Sequence, residues 1–256
     1  MANFWIPDRV DRPELMDAPR LANVEIQDAY RVLRRVNRQL GNLRTARLEF
    51  LRFLEEDMAD GSPASVVDLG SGSGDIPLAL RRLAGGRSAQ IIALDRDKTA
   101  VAEAFRQNLS VVCGDALRLP FADRSIDLVT AVKFAHHFSG DSLTRLILEM
   151  TRVAGRRVIV LDIRRHRLAY WGFLAWSRLL TSNRLVRYDG PLSVLRGFTR
   201  DELLLEAASI TGFSWEVRSY AGFQLALVGR RLTRSERVAR SVESAVSIHG
   251  GETTEA

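Results

Sequence analysis

A string of glycines, three aspartates at the ends of apolar runs and a lysine–histidine cluster carry most of the chemistry open to this sequence. In Val66-Val67-Asp68-Leu69-Gly70-Ser71-Gly72-Ser73-Gly74-Asp75, glycine recurs at every second position from Gly70 to Gly74. Absent β-carbons let a ligand approach the main chain closely. The apolar run before the glycines reads as a buried strand, and Ile76, Leu78, Leu80 and Leu83 after them as a helix. Such a junction gathers bare N–H groups at a helix N-terminus. Asp95 follows Gly74 by 21 residues and ends the next apolar run, where an acid can accept both hydroxyls of a ribose. Asp115 ends a third run, placed to accept from an exocyclic adenine amine. Lys133, His136 and His137 follow a fourth. The histidines are candidates for moving a proton, because imidazole titrates near neutral pH, and His166 is a second choice. No metal-ligand set is read from these spacings.

The nucleoside ligand has two readings. A dinucleotide fingerprint is G-x-G-x-x-G, whereas here the spacing is G-x-G-x-G and Asp75 stands where the third glycine belongs. An anionic side chain at that helix end would repel a pyrophosphate. A cofactor without phosphate, bearing a sulfonium and an ammonium, tolerates several carboxylates, which points to S-adenosylmethionine. Asp68 would then orient the glycine loop or bind the ammonium. Asp162, at the end of a fifth apolar run, reads as an ordinary turn former.

The elements that must position these groups follow from periodicity. Apolar runs at 65–69, 89–94, 110–113, 126–131 and 157–163 read as strands. Helical patterns at 75–84, 97–108 and 140–152 separate them. Near-continuous apolar strands between amphipathic helices imply a parallel sheet covered on both faces. Upstream, residues 24–40 and 43–58 carry apolar residues at helical spacing, split by Gly41-Asn42, and predict a helical hairpin. Residues 165–197 break the rhythm with an aromatic-rich stretch, Leu168 to Trp176, and an expected loop from Thr181 to Gly197. Thr199-Arg-Asp-Glu202 is a capping box opening a helix at 200–211. Apolar segments near 213–219 and 222–229 suggest an antiparallel edge hairpin.

Taken together, Asp68-Leu-Gly-Ser-Gly-Ser-Gly74, Asp95, Gly114-Asp115-Ala116 with Leu119-Pro120-Phe121, and Ile126-Asp127-Leu128-Val129 resemble successive motifs of class I S-adenosylmethionine-dependent methyltransferases. Ala135-His136-His137-Phe138 is similar to the branch holding the ubiquinone and menaquinone methyltransferases and many natural-product O-methyltransferases. The N-terminal hairpin, Asp189-Gly-Pro-Leu-Ser193 and Phe223-Gln-Leu-Ala-Leu227 resemble methyltransferases associated with bacterial type III polyketide synthases. The resemblance implies an α/β fold: a Rossmann-like three-layer sandwich with a seven-stranded, mostly parallel sheet whose strand seven is antiparallel. It implies three parts, a helical arm and cap (1–60), a cofactor-binding domain with a substrate lid near 165–197 (61–231), and a polar tail (232–256). It places Asp68, Gly70, Ser71, Gly72, Gly74, Asp95, Arg96, Asp115, Ala116 and Lys133 around the cofactor. His136 and His137 stand as catalytic bases.

The expected function is methyl transfer from S-adenosylmethionine to a small aromatic or polyketide-like hydroxyl by in-line displacement. Alternatives are C-methylation of a quinone precursor, methylation of RNA, and a silent cofactor-binding assembly protein. The net charge of +6 invites nucleic acid. No compact basic cluster with interleaved aromatics accompanies it, and Thr130-Ala131-Val132-Lys133 lacks the Asn/Asp-Pro-Pro-aromatic motif of many amino-group methyltransferases. The partner is therefore read as a small-molecule substrate; oligomeric state is left open. The 168–180 stretch has three readings: a wall over an apolar acceptor pocket, a peripheral membrane contact, or a dimer interface. One cysteine, Cys113, excludes an internal disulfide and a Cys-rich zinc site. With no signal-peptide pattern and no membrane-length apolar run, the expectation is a cytoplasmic protein.

Overall fold

Seven strands build one sheet: β1 (Ala64–Leu69), β2 (Ala89–Asp95), β3 (Ser110–Cys113), β4 (Ile126–Val132), β5 (Ala154–Ile163), β6 (Phe213–Tyr220) and β7 (Gln224–Arg231). They were located in a computed structural model that describes residues 4–17, 23–85 and 88–239. The sheet order is β3-β2-β1-β4-β5-β7-β6. Strands β1 to β5 pair in parallel, while β7 is antiparallel to both β5 and β6. This is the seven-stranded, Rossmann-like arrangement expected from the sequence. The chain order reverses beside β1, so the carboxyl ends of β1, β2 and β4 form the crevice where open α/β sheets bind ligands.

Alternate residues of the strands feed two cores. Val66, Ile91, Leu128 and Ile159 face α2 (Asn42–Glu56) and α3 (Asp75–Ala84). Val67, Ile92, Val129 and Val158 face α5 (Asp141–Val153) and α8 (Arg200–Ala208). Phe50 and Phe53 of α2 are fully buried, and each contributes about 1.5–3 kcal/mol through burial. Helix α4 (Lys98–Arg106) packs Ala104 against Ala93 of β2. Asp97 caps it by accepting from the Thr99 amide at 2.7 Å. Pro77 is accommodated in α3 because it lies in the first turn, where its missing N–H is not needed. Thr199 and Glu202 make both bonds of the capping box on α8.

The carboxyl edge of the sheet is roofed by α1 (Asn23–Gln39), α6 (Arg167–Leu180), α7 (Arg184–Arg196) and the arm 4–17, which ends in a 3-10 turn, Leu15–Asp17. Ala29, Leu185 and Val186 form their shared core, with Leu33, Phe173 and Trp176 packed on it. Helix α7 corrects the loop expected at 181–197. Asp189-Gly190-Pro191 reads as a turn, yet Asn183 caps the helix by accepting from the Val186 amide. A β-carbon at Gly190 would overlap the Phe173 ring, so that residue is small in order to seat α7 against α6. Residues 234–239 are helical, and the remainder of the tail expected at 232–256 lies outside the described residues. Among the described residues, no helix is long and apolar enough to cross a membrane.

Candidate active site

Main-chain geometry at the end of β1 sets the floor of the site. Gly70, Gly72 and Gly74 all take the left-handed conformation, with φ of 61°, 53° and 81°. Side chains rarely adopt it, and only glycine does so without cost. A β-carbon at Gly70 would also overlap the Phe134 ring, and one at Gly74 would stand 2.6 Å from Leu109 Cδ1. Asp95, at the end of β2, accepts from the Gly72 amide at 2.8 Å through one oxygen and from the Asp97 amide at 2.9 Å through the other. Burial outweighs these bonds and raises its pKa. Asp115 accepts from the Leu117 amide at 2.9 Å and is exposed beside the buried Ala116.

These residues line a cavity of about 1720 Å³ running along the carboxyl edge. Of the residues expected around a cofactor, Gly70, Gly72, Asp95, Arg96, Asp115, Ala116 and Lys133 face it, and so do His136 and His137. Asp68, Ser71 and Gly74 do not. Asp68 points away, beneath the loop, where it is 1% exposed and accepts from the Thr130 hydroxyl at 2.7 Å. Burial, with Asp75 and Asp95 adding repulsion, pushes its pKa up to about 8 despite that bond. Asp68 therefore lies behind the loop, held by Thr130, and does not line the cavity. Ser71 turns its amide to the Leu94 carbonyl, and Gly74 packs on Leu109 and Ala104.

Helix α1 supplies contacts that the sequence pattern did not reveal. Tyr30 lies over Gly72 and donates to Asp97 at 3.3 Å. One turn on, Arg34 donates to the Ser73 hydroxyl at 3.0 Å, and Asn37 donates to Asp75 at 2.6 Å. Residues 30, 34 and 37 share one helix face. That spacing was legible; what the face would meet was not.

The histidines stand where β4 hands over to a 3-10 turn, Ala135–His137. Lys133 enters that turn at a φ of 55° and lines the cavity. Burial pushes its pKa down to about 8 against the pull of Asp162. His136 is 4% exposed; its amide and Nδ1 both meet Asp162, at 3.0 and 2.8 Å, and its Nε2 faces Glu14 at 3.5 Å. Burial opposes its charge, but Asp162 and Glu14 win and hold its pKa at about 9. The two carboxylates thus favour the charged ring and set His136 apart from a free imidazole. His137 meets Asp17 through Nδ1 at 3.2 Å and Glu14 through Nε2 at 3.8 Å. His166 caps α6 by accepting from the Leu168 amide, stacked between Trp5 and Phe223. Asp162, read from the sequence as a turn former, is the buried anchor of His136. Glu14 and Asp17 come from an arm with no pattern of its own, so their arrival here left no signal in the sequence.

Apolar side chains share this cavity with the polar groups. Ile26 and Leu33 of α1, Phe173 and Trp176 of α6, and Phe223 line it. On its outer side, α6 leaves Trp171 60% and Leu179 82% exposed.

A nucleoside bearing a positive charge fits this donor set. Asp95 and Asp115 retain lone pairs for hydroxyl and amine donors, the glycine loop leaves main chain accessible, and Asp75 occupies the helix end where a pyrophosphate would need to sit.

Comparison with known proteins agrees. Residues 67–161 match the family described as a methyltransferase domain. The chain is 33% identical over 106 residues to the demethylmenaquinone methyltransferase of Thermotoga maritima, covering 40% of this chain and 44% of that protein. It is 36% identical over 104 residues to the enzyme of that name from Thermobifida fusca, covering 37% and 42%. The match thus spans less than half the length of these curated relatives. Among solved structures, the plantazolicin methyltransferase BpumL in complex with S-adenosylhomocysteine and a triazolic desmethylplantazolicin analogue aligns at a TM-score of 0.60 with 13% identity, over 82% of this chain and 91% of that one. Magnesium protoporphyrin IX methyltransferase from Synechocystis PCC 6803 with bound S-adenosylhomocysteine aligns at 0.51 with 16% identity, over 75% and 84%. Both likenesses concern the fold. Residues 67–161 thus match a methyltransferase domain, and about two fifths of the chain is similar to demethylmenaquinone methyltransferases.

Proposed function

We propose that the chain transfers a methyl group from S-adenosylmethionine to a hydroxyl of a small aromatic or polyketide-like acceptor. One observation carries this reading: a single cavity is lined both by the glycine loop, Asp95 and Asp115 and by the aromatic rings of Phe173, Trp176 and Phe223. Its volume of about 1720 Å³ exceeds the ~300–1,000 Å³ that one ligand typically fills, leaving space for an acceptor beside the cofactor.

Asp95 would hold the ribose hydroxyls, Asp115 and the Ala116 amide the adenine, and the loop at Gly70 and Gly72 the methionine end. The bound cofactor supplies a methyl already activated by its sulfonium. The protein's own part is positioning and exclusion of water. Tyr30 closes over Gly72, and the aromatic wall aligns a flat acceptor. A hydroxyl acceptor must lose a proton, and Lys133 is the group suited to take it. It faces the cavity, makes no hydrogen bond through its side chain to any described residue, and titrates near 8. His136 and His137 are instead enclosed by carboxylates.

A second reading, C-methylation of a quinone precursor, is favoured by the demethylmenaquinone methyltransferase relatives. The outward Trp171 and Leu179 of α6 would suit peripheral contact with a membrane carrying such an acceptor. Calorimetric titration with S-adenosylmethionine and S-adenosylhomocysteine tests the cofactor assignment, and absence of binding to both would refute it. Turnover on a panel of phenols and demethylated naphthoquinones, with co-sedimentation on anionic liposomes, then separates the two acceptors. Methylation of naphthoquinones alone, with liposome binding, would replace the first reading by the second.

A further inference from the structure

Glu14, His136 and His137 form a group that methyl transfer by itself does not require. Three side chains from two distant parts of the chain turn nitrogen and oxygen atoms toward one point. His136 Nε2 lies 3.5 Å from Glu14 Oε1, and His137 Nε2 lies 3.8 Å from Glu14 Oε2. All three ligand atoms lie within 4.8 Å of one another. The two rings are neighbours, with centroids 4.5 Å apart and planes inclined by 30°.

Both imidazoles are supported in the same manner. Nδ1 of His136 meets Asp162 at 2.8 Å, and Nδ1 of His137 meets Asp17 at 3.2 Å. Each ring is therefore steered so that Nε2 is the atom presented toward Glu14. A carboxylate behind the remote ring nitrogen is the arrangement that orients metal-bound histidines and raises their basicity. Glu14 is itself fixed by the Ser193 hydroxyl, which donates to it at 2.7 Å. Asp162 and Glu14 are nearly fully buried, so the geometry is held by packing.

We propose that Glu14, His136 and His137 bind a divalent first-row transition-metal ion through His136 Nε2, His137 Nε2 and the Glu14 carboxylate, with its remaining positions open to the acceptor end of the cavity. Two imidazoles with one carboxylate select zinc, iron(II), cobalt(II) or manganese(II) over magnesium or calcium. Metal–ligand bonds of about 2.0–2.2 Å bring ligand atoms to roughly 3–3.5 Å of each other, so both carboxylate–imidazole distances need to close by only a few tenths of an ångström. The ion displaces the Nε2 proton of His136, and three carboxylates, Glu14, Asp17 and Asp162, surround the two rings and offset the added charge. All three ligands line the cavity, so water or an oxygen of the acceptor can complete the coordination. A coordinated hydroxyl is more acidic than a free one, which suits transfer to oxygen. That use of the ion rests on the methyl-transfer reading, whereas binding of the ion does not.

The test uses the untagged full chain, stripped of metal and titrated with cobalt(II) followed by visible absorption and with zinc(II) followed by calorimetry. One equivalent should bind, with ligand-field bands in the cobalt spectrum. Glu14→Gln and the half-buried His137→Ala should each weaken binding by about 100-fold or more. Asp17→Asn, behind His137, should weaken it by about 10–100-fold. Absence of saturable binding, or equal affinity in wild type and in both ligand variants, would overturn the site. S-adenosylmethionine is titrated into the same metal-free samples. Metal binding without cofactor binding would keep the site and remove the methyl-transfer reading, and the reverse result would remove the site alone.

Discussion

Replacing Asp68 by asparagine should flatten the pH dependence of stability without disabling the cofactor site. Asp68 is almost wholly buried beneath the glycine loop, with Thr130 donating to it and with Asp75 and Asp95 adding negative charge nearby. Its pKa of about 8 in the folded chain compares with ~3.9 in an unfolded one. A folded-state pKa raised in this way gives stability that is complete below the unfolded value and is lost as pH rises through 8. Integrated over the whole interval the loss is on the order of 5 kcal/mol. Between pH 6.5 and 8.0 it amounts to about 2 kcal/mol, at roughly 1.4 kcal/mol per pH unit. Asparagine keeps the shape and the acceptor for Thr130 but cannot ionise. Urea unfolding of cofactor-free wild type and Asp68→Asn at pH 6.5, 7.25 and 8.0 isolates this contribution, since every other titrating group is common to both chains. The variant should gain about 2 kcal/mol on wild type across that range. Cofactor affinity should stay within about tenfold, because Asp68 does not line the cavity. Parallel stability profiles, or a collapse of affinity, would show that the carboxyl is ionised and acts on the ligand directly.

Other perturbations separate the parts of the site. Asp95→Ala removes the acceptor proposed for two ribose hydroxyls, each such charged bond being worth about 1.5–3 kcal/mol, so calorimetry should record at least a 100-fold loss of S-adenosylmethionine affinity. Gly70→Ala places a β-carbon into the Phe134 ring at a φ of 61°; strain and overpacking together should cost about 2–4 kcal/mol, read as a lowered unfolding midpoint. If Lys133 takes the acceptor's proton, kcat/KM should rise with pH through about 8, and Lys133→Met should lose that limb while still binding cofactor. Phe173→Ala opens the apolar wall, and should raise KM for the acceptor several-fold while leaving cofactor affinity unchanged.

The sheet was legible because its strands are short apolar runs ended by glycine or aspartate, and a run of that kind has few other ways to be buried. β3 begins and ends where its pattern does, at residues 110 and 113, and helix α3 occupies the 75–84 expected for it. Helix α7 was hidden because local turn chemistry at Asp189-Gly190-Pro191 points one way and tertiary packing another. Asp189 is engaged at long range, accepting from the Leu15 and Met16 amides. The glycine loop, Asp95 and Asp115 were readable from their fixed positions at strand ends. Asp68 stayed open between orienting the loop and meeting a ligand because alternation along a strand assigns a face but not the depth at which a side chain stops. The histidines could be singled out as reactive, yet their partners Glu14, Asp17 and Asp162 lie more than 20 residues away in sequence, and only folding brings those charges together.

Helix α1 touches both the glycine loop and the apolar lining of the cavity. Tyr30, Arg34 and Asn37 grip the loop after β1, while Ile26 and Leu33 of the same helix face the space left for an acceptor. A substitution that reshapes α1 for a new acceptor will also move the clasp on the donor, so that helix is a poor place to change specificity. Helices α6 and α7 carry cavity-lining side chains, among them Phe173, Trp176 and Val194, without that second duty. Variation selected or engineered for new acceptors can accumulate there, and a library confined to residues 167–196 would diversify one specificity while sparing the other.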